Sequence, residues 1–305
     1  MQPVNGTITS ADAEKRWVAL TSVMAGLLLT GTKLLVGTVS ASLGVLSEAA
    51  HSGLDLVAAA MTYYAVRVSG KQADRKHTYG HGKIENISAL FETLLLIATC
   101  AWIVYEAFQR LLGSKQIHVD ATIWTFGVIL LSIGVDIGRS QALMRAARKH
   151  NSQALEADAL HFSTDIWSSC VVLFGLICVW VSGRAGLPWL EKADSIAALG
   201  VAIIVLGVCF RLGRRSVDAL LDAIPPELQG KIRSIANENP EILEVKKVRV
   251  RCSGPELFAD ITVTVARDMG LEAGHAVADE IEAHIKSTYP NMDIVVHVEP
   301  APRST

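Results

Sequence analysis

Six apolar blocks, each about as long as a membrane-crossing helix, constrain this chain more than any other feature. They run over residues 17–39, 44–66, 86–110, 121–143, 155–182 and 193–212. A helix rises about 1.5 Å per residue and a bilayer's hydrocarbon core is about 30 Å thick, so roughly 20 residues suffice to cross it. Within lipid, every backbone N–H and C=O must be satisfied internally, which favours helices. The chain is 50% hydrophobic with a mean hydropathy of +0.35, too apolar for a typical soluble protein. Residues 1–14 are polar and mildly acidic, so no cleavable signal peptide is expected and the first block reads as a retained helix.

Composition excludes several classes. A net charge of −2 gives no case for nucleic acid as a partner. Cys100, Cys170, Cys178 and Cys209 lie in apolar blocks, Cys252 lies outside them, and no CxxC occurs. Neither a disulfide framework nor a thiolate metal site is expected. Lys and Arg alternate between connections. Lys15 and Arg16 precede the first block. Arg67, Lys71, Arg75, Lys76 and Lys83 fill the second connection. Arg139, Arg145, Arg148 and Lys149 surround the fourth, and Arg211, Arg214 and Arg215 follow the sixth block. The remaining connections carry only Lys115, Arg184 and Lys192, with Arg110 at a border. The positive-inside rule then puts both termini in the cytoplasm.

After Arg215 the character changes. Pro225 and Pro226 open a polar segment that reads as a helix to about Asn237. Residues 245–252 and 257–265 alternate as half-buried strands, 271–288 as an amphipathic helix, and 293–298 as a third strand. The expected fold is an α-helical membrane protein. A six-helix transmembrane domain (1–215) is followed by a cytoplasmic, ferredoxin-like αββαβ domain (216–305), with helices covering one face of a three-stranded sheet.

Polar residues inside the apolar blocks carry the chemistry. His51 and Asp55 stand in LSEAAHSGLDLVAAAM, and His161 and Asp165 in EADALHFSTDIWSS. Each pair has i, i+4 spacing, so both side chains lie on one helix face. Ionisable groups at that depth face a bundle interior or a water path and mark function. Two imidazoles and two carboxylates make an N2O2 set that tetrahedral zinc accepts. The bland alternative is that they only pair helices. Glu48 and Asp158 each precede a pair by one turn; they either tune the ligands and access path or sit solvated at the interface.

Two further sets stand outside the blocks. In DRKHTYGHGKIE, Asp74, His77 and His81 have the spacing of a compact three-ligand clip, with Gly80 and Gly82 allowing a tight turn. It would hold a second zinc, or be a solvated basic loop against anionic lipid. In the C-terminal domain His297 and Glu299 point the same way from the last strand, His275 opens the last helix, and Asp260 lies on the middle strand. They form exposed metal sites or are ordinary surface residues.

These residues resemble the cation diffusion facilitator family, which exports zinc and related ions, over nearly the whole chain. The shared elements are the H-x-x-x-D pairs, the D-x-x-H-x-x-G-H-G-K-x-E loop, and the C-terminal G-H-x-x-A-D-x-[IV]-E and V-V-H-V-E-P segments. The likeness is to bacterial members of the zinc and ferrous-iron efflux type, with no His-rich loop after the fourth block. The resemblance implies a transport site of His51, Asp55, His161 and Asp165 and a loop site of Asp74, His77 and His81. It also implies a homodimer with a metallochaperone-like cytoplasmic domain, and a salt bridge between Lys83 and Asp222. Two departures stand out. His51 occupies a position that carries Asp in the best-known bacterial pattern. Lys246 and Thr262 stand where the family places His ligands, which leaves His275, His297, Glu299 and Asp260 for a weaker regulatory site.

The expected activity is Zn2+ efflux from the cytoplasm in exchange for H+, across the cytoplasmic membrane. Fe2+, Co2+, Cd2+ or Mn2+ are alternative cargoes. No HExxH or P-loop is present, so neither a zincin-type enzyme nor an ATP-driven pump is expected. A metal-responsive membrane scaffold that transports nothing is the remaining rival.

Overall fold

The computed structural model describes residues 10–39, 43–111, 123–185, 190–254 and 256–303. The expectation for Lys115 falls outside them. The chain divides into two compact units, residues 1–72 with 84–216, and residues 73–83 with 217–305. The connection 73–83, grouped with the membrane domain on sequence, therefore belongs by its packing to the C-terminal unit.

The first unit is built from α1 (Ser10–Val39), α2 (Leu43–Ser69), α3 (Lys83–Leu111), α4 (Ile123–His150), α5 (Gln153–Ala185) and α6 (Leu190–Leu220). Among the described residues three segments are long and apolar enough to cross a membrane: Ser10–Val39, Lys83–Gln109 and Gly127–His150. The 27-residue α2 is long enough, but Glu48, His51 and Asp55 interrupt its apolar run. Helices α1, α2, α4 and α5 meet through Ala19, Ala59, Ala146, Ala147, Ala154 and Ala159, with Leu143, Leu155 and Phe162 filling the space between them. Small residues let backbones approach closely where lipid gives no hydrophobic drive for helices to associate. Leu96 and Cys100 of α3 pack on Val205 and Cys209 of α6. Large apolar side chains such as Leu28, Leu35, Trp102, Ile203, Ile204 and Phe210 point outward, as helices solvated by acyl chains require.

Several buried charges inside this unit are paired. Lys15 and Glu85 are buried, with Lys15 Nζ 3.1 Å from Glu85 Oε1. Ser69 Oγ donates to the same oxygen at 2.9 Å and Ser152 Oγ to Oε2 at 2.5 Å. Arg139 donates from Nε to Ser22 Oγ at 3.1 Å, stacks 3.5 Å from the Phe162 ring centroid and approaches Asp136 at 3.4 Å.

The second unit contains α7 (Pro226–Asn237), β1 (Ile242–Ser253), β2 (Glu256–Val265), α8 (Leu271–Thr288) and β3 (Met292–Pro300). Pro226 starts α7 where its missing N–H has no intrahelical acceptor to lose. The sheet order is β1-β2-β3, with β1 antiparallel to β2 and β3 parallel to β2 across α8. In β2, Ala259, Ile261 and Val263 face inward, and the same core holds Ile232 of α7, Val277, Ile281 and Ile285 of α8, and Ile294 of β3. Both helices thus cover one face of the sheet. The order αββαβ and its element boundaries agree closely with the alternation read from sequence.

Candidate metal sites

Helices α2 and α5 bring one group of candidate ligands together. Asp55 of α2 and His161 and Asp165 of α5 offer ligand atoms within 4.8 Å of one another. His161 Nε2 lies 3.2 Å from Asp55 Oδ1 and 3.6 Å from Asp165 Oδ2. All three side chains are largely buried, and Asp165 Oδ2 has no hydrogen-bond partner. Two ligand atoms on a tetrahedral zinc at about 2.0–2.1 Å stand roughly 3.3 Å apart. The observed spacings fit that figure. His51 is exposed one turn before Asp55 and is not part of the converging group, so the structure gathers three of the four residues singled out.

Further charged groups surround this cluster, Glu92 among them not singled out from sequence. Glu92 of α3 is fully buried, with Oε1 accepting from Thr62 Oγ1 at 2.6 Å and Oε2 4.0 Å from His161 Nδ1. Asp158 is fully buried with neither oxygen hydrogen-bonded, so it is not a solvated interface carboxylate. Glu48 is half exposed and 3.3 Å from the buried Lys33 ammonium, which also donates to Ser52 Oγ at 2.7 Å. The signal that could have found Lys33, Glu92 and Asp136 was their charge within apolar blocks; Arg139, read from sequence as flanking a connection, is instead buried within α4.

The second cluster is the loop. Asp74 Oδ1 accepts from the backbone N–H of Lys76 at 2.8 Å and of His77 at 2.6 Å. Those two donors hold the Asp74 carboxyl down at about 2, so the loop carries a fixed negative charge. His81 Nε2 is 3.4 Å from Asp74 Oδ2, His77 Nδ1 is 3.3 Å from Oδ1, and the two rings stand 4.5 Å apart. Gly80, at φ 73°, turns the chain between them. These three residues converge within 4.8 Å. Beyond the loop, Lys83 Nζ is 2.9 Å from Asp222 and donates to Leu220 O at 3.3 Å.

Of the C-terminal residues, His297 and Glu299 come together, with His297 Nε2 3.7 Å from Glu299 Oε1. By register Thr262 pairs with His297 and Thr264 with Glu299, so Asp260, His297 and Glu299 share the open face of the sheet. Glu299 is tied to Lys246 at 2.7 Å, which lowers its carboxyl below the ordinary range. His275 belongs to the helix layer, where its nearest carboxylate is Asp279 at 3.7 Å. Strand alternation thus puts Asp260, His297 and Glu299 on one face, while His275 stands in the helix layer, so among the described residues the four do not gather at one point.

Comparison with known proteins places the molecule in a class. The cation efflux transmembrane domain model matches residues 19–221, more than half of the chain, and the cation efflux protein cytoplasmic domain model matches residues 224–301. The chain therefore belongs to the cation efflux family, also called cation diffusion facilitators, and is a membrane-embedded cation efflux transporter. Among similar proteins, the cation-efflux pump FieF of Klebsiella pneumoniae is 28% identical over 289 residues, covering 93% of this chain and 91% of its own. FieF of Shewanella oneidensis is 28% identical over 290 residues, covering 93% and 94%. A solved structure of CzrB in its zinc form is 30% identical, covers 28% of this chain and 98% of its own, and has a TM-score of 0.26.

Proposed function

We propose that the protein exports Zn2+ in exchange for H+ through Asp55, His161 and Asp165, with His51 closing the site as the fourth ligand. The observation that supports this most is the convergence of two carboxylates on one imidazole nitrogen between α2 and α5. His51 lies one turn from Asp55 on the same helix, within reach of that face.

The ligands supply the coupling. His161 Nε2 must be unprotonated to hold a metal, whereas a proton on it lets the ring donate to Asp55 at 3.2 Å. Metal and proton thus exclude each other at one atom. Zinc loads from the cytoplasmic side, and protons displace it from the other side, with no nucleotide involved. The distribution of Lys and Arg supports both termini lying in the cytoplasm of a cell whose inner membrane carries six spans. Residues 1–72 with 84–216 form the transport domain, and 217–305 with the loop 73–83 a cytoplasmic domain that joins two copies; the homodimer rests on family resemblance.

The test is flux into proteoliposomes holding a metal-sensitive dye under an imposed pH gradient. Zinc entry that follows the gradient, and falls about 100-fold or more in Asp55→Ala, is the expected result, since a ligand outweighs an outer partner worth 10–100-fold. Parallel traces with Fe2+, Mn2+, Co2+ and Cd2+ assign the cargo. Zinc bound but never moved would replace the carrier with a scaffold.

Asp74, His77 and His81 are proposed as a second zinc site, and its pH dependence follows from geometry. The folded value for Asp74 lies below the ordinary 3.8, so ionisation supports the turn above pH 3.8 and that support fades only as pH falls through about 2. Zinc binding by an Asp55→Ala variant, followed by calorimetry, is expected to be lost when His77 and His81 are both replaced by Ala. Binding that persists unchanged would exclude histidine ligation.

A further inference from the structure

We propose that Glu92 of α3 is a positioning residue for the transport site, fixing the His161 ring so that Nε2 and not Nδ1 faces the cation. The inference rests on the reading of Asp55, His161 and Asp165 as that site. Two unsatisfied atoms carry it. Glu92 Oε2 and His161 Nδ1 are both buried, neither has a hydrogen-bond partner, and they stand 4.0 Å apart. Glu92 is fully buried in an apolar helix, where a carboxylate is costly and is retained for a reason. Its other oxygen is anchored by Thr62 Oγ1 at 2.6 Å, which sets the carboxylate plane from α2.

The imidazole is thus flanked on both sides. Asp55 and Asp165 face Nε2, and Glu92 faces Nδ1. A neutral ring carries one proton. With that proton on Nδ1, donated toward Glu92, the lone pair on Nε2 is directed at the carboxylates with which it shares the cation. A ring shift of about 1 Å brings the 4.0 Å gap to hydrogen-bond length. Without Glu92 the ring is free to adopt the other tautomer, which presents an N–H to the site. Glu92 is not itself among the atoms that converge within 4.8 Å, so it acts through His161 and not as a ligand. The arrangement also gives α3 a hold on the site although it supplies no ligand.

The test uses full-length protein in detergent. Zn2+ binding is measured by calorimetry for wild type, Glu92→Gln, Glu92→Leu and Asp55→Ala. The histidine rings are followed by 15N NMR, with His161 assigned from its loss in His161→Asn. The transport site is the one removed by Asp55→Ala. Its affinity is expected to fall about tenfold in Glu92→Gln, which keeps the shape and one acceptor, and about a hundredfold in Glu92→Leu. In zinc-loaded wild type the His161 proton is expected on Nδ1, in a hydrogen bond and slow to exchange with solvent, and is expected to exchange faster in Glu92→Leu. Affinities within twofold of wild type in both variants would overturn the proposal, as would zinc bound through Nδ1. Binding abolished by Glu92→Gln as completely as by Asp55→Ala would make Glu92 a ligand and also overturn it. Unchanged binding in Asp55→Ala would instead refute the transport-site reading, a result that no Glu92 variant can mimic.

Discussion

Glu85→Ala is expected to destabilise the helical unit by about 3 kcal/mol, the lower end of the range for removing one partner of a buried ion pair. Lys15 is 2% exposed and Glu85 1%, so the ammonium left behind cannot turn to water. Two hydroxyls lose their acceptor as well, Ser69 Oγ at 2.9 Å and Ser152 Oγ at 2.5 Å. Ser152 in addition accepts from Leu155 N at 3.4 Å in the first turn of α5, so the start of the helix that carries His161 and Asp165 loosens. Asp12, 3.2 Å from Lys15, remains and keeps the cost from reaching the upper end. In detergent, a thermal midpoint lower by roughly 6–12 °C is expected, given 2–4 °C per kcal/mol for a unit of this size. Glu85→Gln, which retains an acceptor, should fall between. A midpoint within about 1 °C of wild type in Glu85→Ala would show that the cluster contributes nothing.

Gly82→Ala is the second large effect, and it falls on the loop site. A Cβ at Gly82 would collide with Ser253 O and lie 2.8 Å from Gly254 N, both backbone atoms that no rotamer can move. Gly254, at φ 60°, already holds the β1–β2 turn in a left-handed conformation that has little freedom to retreat. The loop is pinned there by other contacts. Ser253 Oγ donates to Tyr79 O at 3.2 Å, the Tyr79 ring meets Phe258 edge-on at 5.2 Å, and Arg251 stacks 3.4 Å from the Tyr79 centroid. Forcing in a methyl group should cost about 1–3 kcal/mol and lift the segment that carries His81, the neighbouring residue. Loop zinc affinity is expected to fall at least tenfold, with faster hydrogen exchange in the β1–β2 turn, against about 1.4 kcal/mol per factor of ten. Gly230→Ala in α7, which meets nothing within 4 Å, serves as the control and should be neutral or stabilising. Equal behaviour of the two variants would refute the close approach.

Much of the fold was legible because its signals are local. Apolar runs mark helices that must cross lipid, and alternation marks half-buried strands, so α7, β1, β2, α8 and β3 could be placed within a few residues. The i, i+4 pairs likewise put Asp55 near His51 and His161 near Asp165 without any knowledge of neighbours. Sequence periodicity does not say which helix face meets which. Only the packing of α2 against α5 brings Asp55 to His161, leaves His51 outside the converging group, and aims Glu92 of α3 at the far side of the same ring. Only the sheet register shows that Lys246 reaches Glu299 while His275 stands in another layer. The sequence by itself determined the class of chain, its elements and the ligand types, because hydrophobicity and spacing act over a few residues. Tertiary structure decided which charges meet, because a buried charge is satisfied only by groups that folding brings within about 3–4 Å, wherever they lie along the chain.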